Sequence, residues 1–77
     1  MMFEYDSEAD ALYVHIARRH GTTRGRPLDD RRTVYHDQED RIVGVEFLQV
    51  SLGIDLDGVP EGERVAAALA QFPRVAA

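Results

Sequence analysis

Three groups of side chains have the types and spacing that chemistry requires. Asp6, Glu8 and Asp10 fall at i, i+2 and i+4, the spacing with which oxygen ligands open a calcium-binding loop. The match then stops. The sixth position of such a loop, where glycine makes the sharp turn, is Ala11, and the twelfth, where glutamate closes the site, is Ala17. The simpler reading is that these acids cap a turn by accepting backbone N–H bonds. His15, His36 and Glu46 form the second group. If their strands align, they join Asp6 and Asp10 as candidate metal ligands, or as the Asp/His/Glu cluster of a small hydrolase. Against this stands a cross-strand ion pair between Glu46 and Arg32, which leaves both histidines half-exposed. The third group is Tyr5, Tyr13 and Tyr35, with Arg18, Arg19, Arg24 and Arg26 nearby in sequence. Aromatic rings on a sheet surface stack nucleobases, and arginine binds phosphate; tyrosines more often pack as core with a polar tip. Ser7 and Ser51 lie in no nucleophile-elbow context, and no glycine-rich phosphate loop is present. No cofactor is expected, and an enzyme is the less favoured class.

The elements that must position these residues are short. Met2–Tyr5 reads as a first strand, and the polar run Asp6–Asp10 as a turn. In Ala11–Ala17, Leu12, Val14 and Ile16 alternate with Tyr13 and His15, a strand signal of period two. Arg18–Asp30 contains Gly21, Gly25 and Pro27, has no apolar periodicity, and reads as a loop. Arg31–Asp37 and Arg41–Gln49 read as the third and fourth strands, joined by Gln38-Glu39-Asp40. A three-residue hairpin loop needs a left-handed residue at its end, which Asp40 tolerates. The resulting register pairs Asp37 with Arg41, Tyr35 with Val43, Thr33 with Val45 and Arg32 with Glu46. It puts His36 and Glu46 on one face, with Val43, Val45 and Phe47 pointing one way and Ile42 and Leu48 the other. Both faces of that strand are then apolar, so each requires a cover.

One cover is legible. Pro60-Glu61-Gly62-Glu63 has the proline and acids of a helix first turn. Val65, Ala68, Leu69 and Phe72 make an apolar stripe, and Pro73 ends it. The expected helix covers residues 60–72. Ser51–Val59 holds Leu52, Ile54 and Leu56 in alternation, which leaves a further short strand open.

The chain has 77 residues and no cysteine, so residues 1–77 are expected to form a single domain without disulfide or thiolate–zinc support. A core of this size supplies roughly 3–5 kcal/mol. Self-association, as a homodimer or higher oligomer, is the expected supplement, with the uncovered face buried. Net charge is −5, yet it is divided: residues 18–32 hold six arginines against two aspartates, +4, and the remainder three arginines against twelve acids, −9. The chain as a whole repels nucleic acid, so a nucleic-acid partner is not expected. Arg18, Arg19, Arg24 and Arg26 are the expected contacts for an acidic partner. No basic, apolar leader opens the sequence and no segment approaches the roughly 20 apolar residues of a membrane span. A cytoplasmic location without membrane contact is expected.

Two stretches resemble a known family. Tyr5-Asp6, Glu8-Ala9-Asp10-Ala11-Leu12-Tyr13 resembles the opening motif of the bacterial family catalogued as domain of unknown function 2283. Arg41-Ile42-Val43-Gly44-Val45-Glu46-Phe47-Leu48, then Ser51, resembles its second motif. The resemblance covers residues 3–51 and singles out Tyr5, Asp6, Glu8, Asp10, Tyr13, Gly44, Glu46 and Ser51. Asp40 departs from the glycine frequent at that turn. The resemblance implies a small antiparallel sheet and no established activity. Some members resemble the partner half of toxin–antitoxin pairs, which implies a binding role toward a second small protein. The fold expectation is therefore α+β: an antiparallel meander of about four strands with one C-terminal helix on a face.

Overall fold

The segment with the strongest strand pattern takes the middle of the sheet. A computed structural model of the chain describes residues 1–71. It contains β1 (Met2–Asp6), β2 (Ala11–His15), β3 (Arg24–Pro27), β4 (Arg32–His36), β5 (Ile42–Leu48), a 3₁₀ turn at Val50–Leu52 and α1 (Gly62–Leu69). The strands form a single antiparallel sheet in the order β1-β2-β5-β4-β3. The α+β class holds, but the sheet has five strands and is no simple meander, because β5 lies between β2 and β4. β5 has apolar residues on both faces, and a central position pairs both of its edges.

The fifth strand comes from the arginine-rich segment that reads as a loop. β3 is Arg-Gly-Arg-Pro and wholly exposed, so no burial pattern marks it. It forms by backbone pairing with β4, Arg24 opposite His36 and Pro27 opposite Thr33. Proline is tolerated there because β3 is an edge strand. Ser51–Val59, whose alternation leaves a short strand open, forms no strand: Ser51 and Leu52 belong to the 3₁₀ turn, and residues 53–59 are irregular. They come after the 3₁₀ turn as an irregular cover over the core.

The β4–β5 hairpin matches the expected turn and departs from the expected register. The Asp37 N–H donates to the Arg41 carbonyl at 2.9 Å, and Asp40 has φ 64°, so the loop is Gln38-Glu39-Asp40. His36 pairs with Ile42, in the expected register. A β-bulge between His36 and Tyr35 then places Tyr35 opposite Gly44, Val34 opposite Val45, Thr33 opposite Glu46 and Arg32 opposite Phe47. The extra residue is Val43, whose carbonyl accepts from the N–H groups of both Ile16 and Ala17. A bulge puts two residues against one and reverses the facing of the residues beyond it. Ile42 therefore joins Val45 and Phe47 against the core, and Val43 borders the opposite face.

The core is one-sided. Leu12, Val14, Val34, Val45 and Phe47 of the sheet are buried against Val50, Val59, Val65 and Leu69. Each such side chain contributes roughly 1.5–3 kcal/mol on burial. Val65 and Leu69 of the predicted stripe are buried and Ala68 is half-buried. Phe72 and Pro73 lie outside the described residues. The helix begins at Gly62, two residues later than the proline and acids suggest, because Glu61 is left-handed at φ 58° and closes the preceding turn.

Candidate functional site

The helix and the irregular cover occupy one face of the sheet; the other is open. A groove of about 850 Å³ runs over it. Its floor is set by the register. Tyr13 lies opposite Glu4 on β1 and Glu46 on β5, and His15 opposite Gly44. Tyr35 reaches the same place from β4, opposite Gly44 and Gly25. The Tyr13 and Tyr35 ring centroids are 5.5 Å apart, and the Tyr13 and His15 ring centroids are 4.6 Å apart in an edge-to-face arrangement. Gly44 makes this possible: a Cβ there would fall on the hydroxyl end of the Tyr13 ring. Gly25 similarly leaves room for the Tyr35 ring.

Acids hold the rims of this aromatic cluster. The imidazole of His15 lies 2.5 Å from Glu4 through Nε2, and the Tyr35 hydroxyl donates to Glu46 at 3.5 Å. Burial pushes the Tyr13 phenol up, with the neighbouring Tyr35 adding to it. Burial also raises Tyr35, together with the Glu46 charge. Both phenols therefore stay protonated and act as donors at neutral pH. Arg18 and Arg19 border the groove at the end where Met2 meets His15. Neither makes an ion pair with a described residue.

The five proposed ligands Asp6, Asp10, His15, His36 and Glu46 are not brought together. Asp6 accepts the N–H groups of Glu8 and Ala9 at 3.0 and 3.2 Å, the turn-capping role. Asp10 is at the far end of the same turn. His36 is opposite Ile42, while Glu46 faces the groove, so the shared face expected from the unbulged register is lost. Among the described residues, no three His, Asp or Glu side chains are grouped to hold a metal ion. The Glu46–Arg32 pair does not form either. Arg32 instead binds Asp29 at 2.8 Å and donates to the carbonyls of Asp55 and Asp57, tying the β3–β4 connection to the irregular cover.

The arginines divide by role. Arg24 is held by Asp40 at 2.5 Å and by the Asp37 carbonyl. Arg26 is exposed on β3 and makes no ion pair with a described residue. Only Arg18 and Arg19 border the groove. Tyr5 is separated from the other tyrosines: it lies opposite Leu12 and its hydroxyl reaches Asp10 at 3.5 Å.

Two residues gain a role that pattern reading did not assign. Glu4 is the partner of His15, a pairing that needs the β1–β2 register. Asp37 is fully buried, yet its carboxylate accepts from the backbone N–H groups of His20, Glu39 and Arg41 at 2.9–3.0 Å. Burial alone would raise its pKa; those three donors and the Arg41 guanidinium outweigh it and lower the pKa. An aspartate opening a Gln-Glu-Asp turn was the available signal.

Motif residues far apart in the sequence thus meet in two clusters. Tyr13, Gly44 and Glu46 meet on the open sheet face. Tyr5, Asp10 and Ser51 lock the β1–β2 turn to the 3₁₀ turn: Ser51 donates to Asp10 through its hydroxyl at 2.6 Å and its N–H at 3.1 Å. The DUF2283 family model, described as a protein of unknown function, matches residues 2–51. The chain belongs to this family. The DUF2283 match spans all five strands and ends on Ser51, so the helix completes the core from outside it. No curated protein and no solved structure matches the chain. No described helix is long and apolar enough to cross a membrane.

Proposed function

We propose that the protein is an oligomeric protein-interaction module, and that its partner is a second copy of the chain bound along the outer edge of β1, which no described strand pairs. The carrying observation is the contrast between the two sheet edges. At one edge, β3 is guarded by Gly25, Pro27 and two arginines, the features that discourage strand addition. At the other, β1 is Met-Phe-Glu-Tyr-Asp, exposed except for half-buried Phe3, with no proline, glycine or basic residue. Its ends carry opposite charge. Arg18 and Arg19 stand at the Met2 end; Glu8 and Asp10 come after Asp6 at the other. A two-fold axis through β1 makes the pairing antiparallel and sets each basic end beside the partner's acidic end. Such pairing supplies main-chain hydrogen bonds to an edge that no described strand pairs, and extends a core that is small for a lone chain.

Light scattering across the micromolar range tests this. A concentration-dependent dimer is expected. Arg19→Glu and Glu8→Arg each weaken it, and the double variant restores it. A chain that stays monomeric throughout overturns the reading.

A further inference from the structure

We propose that the groove on the open sheet face is a binding site for a planar heteroaromatic ring that carries a phosphate, a ligand of the mononucleotide class. The inference rests on what the groove brings together; it shares Arg18 and Arg19 with the β1-edge reading, so a partner at that edge and a ligand in the groove compete for those two side chains.

Charge is the first argument. The chain is acidic overall, at −5, yet the groove is bordered by two guanidinium groups without ion-pair partners among the described residues, Arg18 and Arg19. Two carboxylates share this face, and both have partners: Glu4 is held by His15 and Glu46 accepts from the Tyr35 hydroxyl. The groups left without partners at the groove are thus the two guanidinium groups, and guanidinium forks match phosphate. Seven of the nine arginines lie among residues 18–41. Four of these, Arg24, Arg31, Arg32 and Arg41, are bound to side-chain or backbone oxygens of the fold. The two at the groove are not.

The floor is the second argument. Tyr13 and Tyr35 are half-buried rings with centroids 5.5 Å apart, which gives an incoming ring a π surface without sequence-specific contacts. The Tyr13 phenol remains a donor, and His15 adds a polar edge. The groove volume, about 850 Å³, lies within the range of small-ligand sites, ~300–1,000 Å³. The bulge supplies the geometry: it turns Val43 toward this face and aligns Gly44 with both Tyr13 and Tyr35.

Isothermal titration of the full chain with adenosine 5′-monophosphate, adenosine and inorganic phosphate tests the proposal. The nucleotide binds, and adenosine and phosphate alone each bind about tenfold or more weakly, since ring and anion both contribute. The Arg18→Ala/Arg19→Ala variant loses the advantage of nucleotide over nucleoside. Tyr35→Leu, which keeps apolar bulk without a π face, weakens nucleotide and nucleoside alike while circular dichroism confirms the fold. Glu8→Arg lies outside the groove and weakens the dimer without touching Arg18 or Arg19, so the affinity is kept or raised, and failed self-association cannot imitate failed binding. A short oligoadenylate separates the sources. Tighter binding with a steeper salt dependence identifies a single strand; equal affinity per site identifies the free nucleotide. Phosphate binding as tightly as the nucleotide overturns the proposal, and so does the absence of any heat at millimolar nucleotide with folded protein.

Discussion

The contact between Tyr13 and Gly44 predicts a substitution whose sign depends on its neighbour. Gly44 has no positive φ, so alanine fits its backbone without strain. In isolation, Gly44→Ala should stabilise the protein by about 0.5–1 kcal/mol, because it restricts the unfolded chain. The Tyr13 ring reverses this. A Cβ on Gly44 would lie 2.7 Å from Tyr13 Cε1 and nearer still to Cζ and the hydroxyl. Carbon contacts are favourable at about 3.5–4.0 Å, so the ring must retreat by roughly 1 Å. His15 and Tyr35 flank it and oppose the movement. Overpacking of this kind costs about 1–3 kcal/mol. Gly44→Ala in the natural background is thus expected to destabilise by up to about 2.5 kcal/mol, the overpacking cost less the unfolded-state gain. In a Tyr13→Ala background it should be neutral or stabilising. The double-mutant cycle, read from urea unfolding at constant slope, should give a coupling of about 1–3 kcal/mol. A coupling below about 0.5 kcal/mol, within the additivity expected of independent sites, would refute the reasoning and mean that the ring swings freely into the groove.

The same geometry predicts other outcomes. Asp37 has a folded-state pKa below its ordinary value, so its contribution to stability is complete above the unfolded carboxylate pKa and is lost as pH falls through the folded one. Unfolding midpoints should therefore drop progressively from about pH 5 downward, and Asp37→Asn should flatten that dependence. Ser51→Ala removes the hydroxyl donor to Asp10 and should cost about 1 kcal/mol by thermal or urea unfolding, while Ser7→Ala, at an exposed turn position, should be silent. Phe47→Ala empties a position that is 1% exposed; a cost of about 3–5 kcal/mol would consume the stability of so small a core, and a flat near-ultraviolet circular dichroism spectrum is the expected readout.

Much of the local structure was legible. Alternation in residues 11–17 and 41–49 marks β2 and β5, the stripe Val65, Ala68, Leu69 marks the helix, and Asp40 takes the left-handed place that a three-residue hairpin loop requires. Those features arise from side-chain periodicity and single-residue backbone preference, which the sequence carries directly. Asp6 as a turn cap belongs with them, since its partners are two and three residues away. The site was less legible. The strand β3 has no apolar periodicity and exists because β4 offers it a ladder of backbone bonds, a property of the neighbour. The bulge at Val43 depends on how β2 and β4 both dock on β5, and a one-residue slip inverts every facing beyond it. That slip parted His36 from Glu46, replaced the Arg32–Glu46 pair by Arg32–Asp29, and gathered Tyr13, Tyr35 and His15 over Gly44. Which segments become strands, helix and turn was thus largely fixed by local chemistry; which side chains share a face was decided by long-range pairing, because side-chain direction in a strand has period two and shifts with every residue of register.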